Sequence, residues 1–149
     1  KCGDLALFSG IAEGAEMVIS PDHPIPEEEI FYTLKNLKET KANHNAIVIV
    51  SEKVYENIND FANRITEATG FEAKAEVLGR LQRGGSPSAF DRILAAKMGV
   101  YAIDLLSEGV SGVCVGVVND RLEHYDIYEA LQLPRNKHIR LLQILDTLK

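Results

Sequence analysis

The sequence predicts an α/β fold in which a mostly parallel sheet is flanked by helices. Short uncharged runs rich in β-branched residues, such as 17–19 and 46–50, alternate with longer segments whose apolar residues recur every three or four positions. This alternation is typical of parallel α/β sheets. The chain has 149 residues, of which 46% are hydrophobic, so it can bury one ordinary core.

The first half is predicted to contain three helices and two strands. In chain order these are a helix over 4–14, a strand over 17–19, a helix from about 26, a strand over 46–50 and a helix over 54–69. The second helix carries Glu27, Glu28 and Glu29 in its first turn, a placement that favours the helix dipole. Gly70 is expected to end the third helix, because glycine readily adopts the left-handed C′ conformation.

The second half is predicted to continue with a strand, a long helix, two more strands and a final helix. Their ranges are 74–78, 87–108, 113–118, 122–127 and 136–148, and the strand over 122–127 is expected at a sheet edge. Both helices are expected to bury an apolar stripe, formed by Phe90, Leu94, Met98, Tyr101 and Leu105 in the long helix and by Ile139, Leu142 and Leu145 in the final one.

The segment before the long helix has the chemistry of a phosphate site. Lys74, Arg80 and Arg83 fall within ten residues, and a pair of glycines follows. Arginine offers a planar fork that fits two phosphate oxygens, and glycine allows close approach of the main chain. Ser86 as N-cap and Pro87 at the first position would open a helix whose N–H groups face this loop. Solvated surface charges are the alternative interpretation, and spacing alone leaves both open.

Glu52 follows the strand over 46–50, at the edge of the sheet where ligands collect in doubly wound folds. A carboxylate near arginines suits a phosphorylated sugar, because it accepts a hydrogen bond from a ring hydroxyl while the arginines hold the phosphate. An exposed acid that leads a helix is the alternative interpretation of Glu52.

Composition argues against several classes of function. The formal charge of −6 argues against a nucleic-acid partner. The longest apolar stretch, 109–118, is too short to cross a bilayer, and we expect no secretory segment. Cys2 and Cys114 lie too far apart in sequence to indicate a disulfide framework or a zinc site. We therefore expect a cytoplasmic protein with no firm metal site and no membrane partner.

Motifs in four places resemble the bacterial-type ATP-dependent 6-phosphofructokinase family. They are G-R-L-Q-R-G-G-S-P at 79–87 with Asp91 and Arg92, C-G-D-L-A-L at 2–7 with Ile11 and Ala12, Y-A-I-D-L-L at 101–106 and C-V-G at 114–116. These motifs occur in the family's order over nearly all of the chain. The resemblance implies part of the two-lobed phosphofructokinase fold. Because the chain begins in mid-motif, we expect it to be the C-terminal portion of a longer protein.

The resemblance implies substrate-binding roles for Glu52, Lys74, Arg80 and Arg83. In the family, the positions that match Glu52 and Arg83 contact fructose 6-phosphate. The position that matches Lys74 is usually an arginine that holds the 6-phosphate in a neighbouring subunit's site, and the one that matches Arg80 is usually a histidine at the same phosphate. Both departures keep or add a positive charge, but lysine exchanges a bidentate fork for a point charge.

A partial resemblance to the family's effector site involves Gly14, Glu16 and Lys41. Gly14 and Glu16 match positions that contact a nucleotide effector and its metal ion, and Lys41 matches a lysine that binds the effector's phosphates. The next expected lysine is Asn43 here, and the neighbouring basic position is His44, which weakens the case for phosphate binding. A solvated acid that leads a strand is an equally acceptable interpretation of Glu16.

The implied activity is phosphorylation of fructose 6-phosphate to fructose 1,6-bisphosphate in glycolysis. Phosphoryl transfer needs a phosphate cradle, a magnesium carboxylate and a base, and the chain has no P-loop spacing. In the family, the base and the sites for ATP and Mg²⁺ lie mainly in the N-terminal part. We therefore expect sugar-phosphate binding, no catalytic residue in this chain and no activity of the chain alone. A pyrophosphate donor and a non-catalytic phospho-sugar or nucleotide-binding module are the alternatives.

The resemblance also divides the chain into two parts. Residues 1–81 with 132–149 are expected to form the substrate and effector lobe, and 82–131 to pack on the missing nucleotide lobe. In the chain alone, that second surface would expose apolar area or mediate self-association. Family members are typically homotetramers with shared active sites, so a homotetramer is the expected full-length assembly.

Overall fold

The computed structural model describes residues 3–40, 45–134 and 138–147. The chain divides into two compact units. The first comprises Lys1–Val77 together with Asn136–Lys149, and the second comprises Leu78–Arg135. In sequence, the second unit is therefore inserted between the body of the first unit and its C-terminal segment.

The described residues form six α-helices and four strands. The helices are α1 (Asp4–Ala12), α2 (Glu27–Thr40), α3 (Ile58–Thr69), α4 (Ala89–Ser107), α5 (Ile127–Gln132) and α6 (Ile139–Thr147), and the strands are β1 (Met17–Ile19), β2 (Val48–Val50), β3 (Val113–Val118) and β4 (Arg121–Asp126). None of these helices is long and apolar enough to span a bilayer.

The core of the first unit lies on both faces of a parallel strand pair. β1 pairs with β2 in the register that joins Met17 to Val48. Alternate residues of a strand face opposite sides, so β1 contributes to two separate clusters. One cluster contains Met17, Ile19, Ile30, Leu34, Phe61 and Ile65, and the other contains Leu7, Val18 and Leu145. Helices α2 and α3 thus cover one face and α1 and α6 the other, which confirms the predicted α/β class.

The second unit contains an antiparallel hairpin together with α4 and α5. β3 and β4 pair from Val113 opposite Asp126 to Val118 opposite Arg121. Asn119 and Asp120, which join them, have φ values of 49° and 62°, as a type I′ turn requires. The described strands therefore form two separate two-stranded sheets, one parallel and one antiparallel, where the sequence predicts one mostly parallel sheet.

The strand predicted over 74–78 is not formed in the described structure. Residues 71–76 belong to no regular element and pair with no described strand, and half-buried residues alternate with exposed ones. Phe71 and Ala73, just before the predicted range, pack against the core of the first unit, whereas the apolar residues Val77 and Leu78 within it are 68% and 54% exposed.

Two apolar stripes and one helix start also differ from the prediction. Phe90 of α4 is 73% exposed and Ile139 of α6 is 65% exposed, whereas Leu105 and Leu145 are buried as predicted. α3 begins at Ile58 rather than near residue 54, because the Asn57 side chain caps it by accepting a hydrogen bond from the N–H of the second helical residue. The short helix α5 was not predicted.

Candidate functional site

Glu52 lies in a tight turn directly after β2. Ser51 N–H donates a hydrogen bond to Ile19 O at 2.8 Å, and Val54 N–H donates one to Ser51 O at 3.3 Å. Lys53 in this turn has a φ of 70°, which is uncommon for a residue other than glycine. Glu52 is exposed, and it forms no ion pair within residues 3–40, 45–134 and 138–147. Its carboxylate is therefore open to a ligand at the carboxyl end of the parallel pair.

A second polar turn, overlooked in the sequence, follows β1. Because β1 and β2 are parallel, this turn lies at the same edge as Glu52. Ser20 Oγ accepts a hydrogen bond from His23 N–H at 3.1 Å, and Asp22 Oδ2 accepts one from Gly3 N–H at 3.4 Å. The run S-P-D-H immediately after a buried strand is a signal that could have identified it. It adds an imidazole and a second carboxylate to this edge.

Lys74 lies on the exposed side of the segment 71–76, in which half-buried residues alternate with exposed ones. Its ammonium nitrogen is 3.0 Å from Glu72 Oε1, and the two side chains are 83% and 82% exposed, respectively. Glu72 and Lys74 therefore share the exposed side of this segment. The predicted phosphate ligand is thus paired with a neighbouring acid that the sequence interpretation did not consider.

Arg80 and Arg83 occupy a single 3₁₀ turn in the second unit. This turn spans Gly79–Arg83, and Gly84 follows it with a φ of 76°. Residues three apart in a 3₁₀ helix lie on the same face, so the two arginines share a side. Both residues are exposed, and neither guanidinium forms an ion pair with any described residue. The turn therefore presents two uncompensated positive charges.

The N-terminus of α4 is already capped by side chains of the chain itself. Ser88 N–H and Ser88 Oγ–H donate hydrogen bonds to Asp91 Oδ2 at 2.9 and 2.7 Å, and Asp91 N–H donates one to Ser88 Oγ at 3.2 Å. The Ser88 side-chain and backbone hydrogen bonds lower the pKa of Asp91. The prediction that Ser86 and Pro87 open this helix is wrong, because the Ser88–Asp91 capping box begins it two residues later. Since the Asp91 carboxylate disfavours an anion at this helix end, the case for phosphate binding depends on the arginines.

We expect Ser88→Ala to destabilise α4 by about 1 kcal/mol, the usual contribution of a serine N-cap. The Asp91 pKa is lower in the folded state than its ordinary value of 3.8, so the stabilisation by its carboxylate is present above that value and is lost as pH falls through the folded-state pKa. Urea denaturation followed by circular dichroism, at neutral pH and at a pH well below 3.8, measures both effects. Ser86→Ala is the matched control, and an equal loss in that variant would contradict the observed cap.

The residues of the predicted effector site have local structural roles where they are described. Gly14 has a φ of 65°, just beyond the end of α1. Glu16 Oε2 accepts a hydrogen bond from Ile47 N–H at 2.7 Å, so its carboxylate is tied to the backbone just before β2 rather than simply solvated. Lys41, with Asn43 and His44, lies outside the described residues. An effector role for Gly14, Glu16 and Lys41 stays a prediction.

The four predicted substrate residues are divided between the two units. Glu52 and Lys74 belong to the first unit, and Arg80 and Arg83 to the second. That Glu52, Arg80 and Arg83 contact the substrate, and that Lys74 contacts the 6-phosphate in a neighbouring subunit's site, stays a prediction. Among the described residues, no three His, Cys, Asp or Glu side chains are grouped closely enough to hold a metal ion.

Helix α4 exposes apolar side chains over much of its length. The exposed residues are Phe90, Ile93, Val100, Ile103 and Leu106. On the side of the hairpin, Tyr101 Oη lies 2.8 Å from His124 Nδ1. A helix with apolar residues around most of its circumference is normally buried between other parts of a protein. Large exposed apolar patches usually mark contact surfaces.

All comparisons with known proteins match this chain to phosphofructokinases. The family model described as Phosphofructokinase matches residues 1–106. ATP-dependent 6-phosphofructokinases of Teredinibacter turnerae and Bacillus licheniformis are each 47% identical, over 88% and 87% of this chain and 40% of their own lengths. A crystal structure of Pichia pastoris phosphofructokinase in the T-state matches 99% of this chain and 16% of that chain, with a TM-score of 0.72 and 25% identity. The chain thus spans about two fifths of the length of these bacterial relatives.

Proposed function

Because the chain belongs to the phosphofructokinase family, we propose that it supplies the sugar-phosphate-binding part of an ATP-dependent 6-phosphofructokinase. The whole enzyme transfers a phosphoryl group from ATP to fructose 6-phosphate and forms fructose 1,6-bisphosphate in glycolysis. The names of the relatives favour ATP over pyrophosphate as the donor.

The observation that carries this proposal is the pair Arg80 and Arg83 on one face of the 3₁₀ turn. Two guanidinium groups without ion-pair partners in the described part of the chain suit a dianionic phosphate. Each group can donate two parallel hydrogen bonds to phosphate oxygens, which fixes the orientation of the sugar. Arg80 stands where the family usually has histidine, so it adds a permanent positive charge.

Glu52 and Lys74 complete the proposed substrate contacts. The Glu52 carboxylate accepts a hydrogen bond from a sugar hydroxyl, and the Lys74 ammonium binds the 6-phosphate in a neighbouring subunit's site. These residues contribute positioning and electrostatic attraction, which hold the attacking hydroxyl in line with the donor. None of them removes the proton of that hydroxyl, so the catalytic base belongs to a part of the enzyme outside this chain.

ATP and Mg²⁺ are proposed to bind mainly outside these 149 residues. When bound, Mg²⁺ neutralises charge on the donor phosphates during transfer. The exposed apolar residues of α4 support a further proposal, that the segment 82–131 packs against the nucleotide lobe. We also propose that the full-length protein is a cytoplasmic homotetramer. Gly14, Glu16 and Lys41 are its candidate contacts with a nucleotide effector.

A turnover assay and a binding measurement, both with fructose 6-phosphate, test the function. A coupled assay of the full-length protein is expected to show turnover with ATP, and turnover with pyrophosphate alone would contradict the choice of donor. Absence of turnover with either donor, together with binding of fructose 6-phosphate, would favour a non-catalytic module.

The 149-residue chain alone is expected to show no phosphoryl transfer, because it lacks a base and a donor site. The same coupled assay, with the full-length protein as positive control, measures this. Measurable turnover by a clean preparation of the chain would contradict the assignment of the base to another part of the enzyme.

A further inference from the structure

We propose that Glu72 lowers the affinity of the enzyme for its phosphorylated substrate by holding the Lys74 ammonium. This inference rests on the function proposed above, in which Lys74 binds the 6-phosphate. It adds an acid, Glu72, which competes with the phosphate of the substrate for the Lys74 ammonium.

The geometry of segment 71–76 brings the competing charges together. Phe71 and Ala73 pack against the core of the first unit, so the alternate residues Glu72, Lys74 and Glu76 are exposed. Lys74 therefore lies between two carboxylates on one side of the segment. Of these, Glu72 is the one in contact, at 3.0 Å from the ammonium.

This arrangement opposes a phosphate in two ways. Glu72, Lys74 and Glu76 together carry one positive and two negative charges. A phosphate that approaches Lys74 is therefore also repelled by the two carboxylates beside it. The ammonium also has to exchange the Glu72 carboxylate for a phosphate oxygen. Because both side chains are more than four-fifths exposed, water weakens their ion pair, and the four-carbon lysine stem can swing away. Glu72 therefore adjusts affinity without blocking the site.

The test compares the KM for fructose 6-phosphate of the full-length enzyme with that of its Glu72→Gln variant. We expect Glu72→Gln to lower KM by about 1.5- to 5-fold, the usual strength of an exposed ion pair, with a smaller change in kcat. Glu72→Asp keeps the charge and is expected to keep KM near that of the parent. In a Lys74→Met background, which by itself raises KM, Glu72→Gln is expected to lower KM no more than Glu76→Gln does, because only the direct repulsion of the phosphate remains.

Glu76→Gln is the matched control. It removes an equal charge at the residue two positions after Lys74, which forms no ion pair with Lys74 in the described structure. We expect it to lower KM less than Glu72→Gln does. Equal effects of the two variants would overturn the specific role of Glu72.

Other outcomes separate this inference from the proposed function. An unchanged KM in Glu72→Gln, beside a raised KM in Lys74→Met, overturns the inference and leaves the function intact. An unchanged KM in both variants also overturns it, because Lys74 then does not bind the phosphate. In that case the Arg83→Ala variant shows whether sugar-phosphate binding by this chain fails as a whole.

Discussion

Replacing Arg83 by alanine is expected to raise the KM of the full-length enzyme for fructose 6-phosphate by about 10- to 150-fold. A hydrogen bond to a charged group contributes about 1.5–3 kcal/mol, and each 1.4 kcal/mol is a factor of ten. Arg83 is exposed in the 3₁₀ turn and pairs with no described acid, so its removal breaks no structural contact of that kind. Steady-state kinetics with varied fructose 6-phosphate, at fixed saturating ATP, measure the effect.

Two control variants test whether the rise in KM is specific to the Arg83 guanidinium. Arg121→Ala removes an equal charge from an exposed position of β4 in the same unit, and it is expected to leave KM within about twofold of the parent, because Arg121 is not one of the proposed substrate contacts and water screens its charge. Arg83→Lys keeps the charge but loses the planar fork, so it is expected to restore only part of the affinity. Equal KM values for Arg83→Ala and the parent would show that the arginine turn does not bind substrate.

Replacing Ile30 by alanine is expected to destabilise the first unit by about 2–5 kcal/mol. Ile30 is 0% exposed and belongs to the cluster between the parallel strands and helices α2 and α3. The loss combines the lost burial of the side chain with the cavity that remains, because the neighbouring side chains relax only in part. Urea denaturation of the 149-residue chain, followed by circular dichroism, measures the free energy of unfolding.

The control is the same substitution at an exposed position, Ile103→Ala in α4. Ile103 is 64% exposed, so its replacement in the 149-residue chain is expected to change the free energy of unfolding by no more than about 0.5 kcal/mol. In the full-length protein, Ile103→Ala is expected to cost more, because α4 is proposed to be covered there by the nucleotide lobe. A loss below about 1 kcal/mol for Ile30→Ala would contradict the buried core described here.

The parts of the fold that could be predicted are those set by local patterns. The uncharged run Met17–Ile19 is a strand, and Gly70, with a φ of 71°, ends α3. The strand predicted over 74–78 does not form, because pairing of a strand requires a partner far away in sequence, and the apolar residues Val77 and Leu78 are 68% and 54% exposed instead of buried. At the start of α4 both Ser86 and Ser88 suit an N-cap, and only the acid three residues after Ser88 decides between them.

For the candidate site, the sequence identified residue types more reliably than their surroundings. The exposure of Glu52 and the common face of Arg80 and Arg83 agree with binding roles, but they do not test those roles. The ion pair between Glu72 and Lys74 was missed because the segment was interpreted as a strand in which only the cation was considered. The turn after β1 was missed because its polar residues lie beside Glu52 only once the two strands pair.

The position of α6 has a consequence for the order in which a newly made chain can fold. Leu145 is 2% exposed beside Leu7 and Val18, which lie before the second unit in the sequence, whereas Leu145 lies after it. Translation proceeds at about 5–20 residues per second, and the whole of the second unit is made in between. During that interval the β1 face that carries Val18 lacks part of its cover. The nascent protein therefore has an incompletely covered hydrophobic layer that chaperones can bind until α6 emerges from the ribosome.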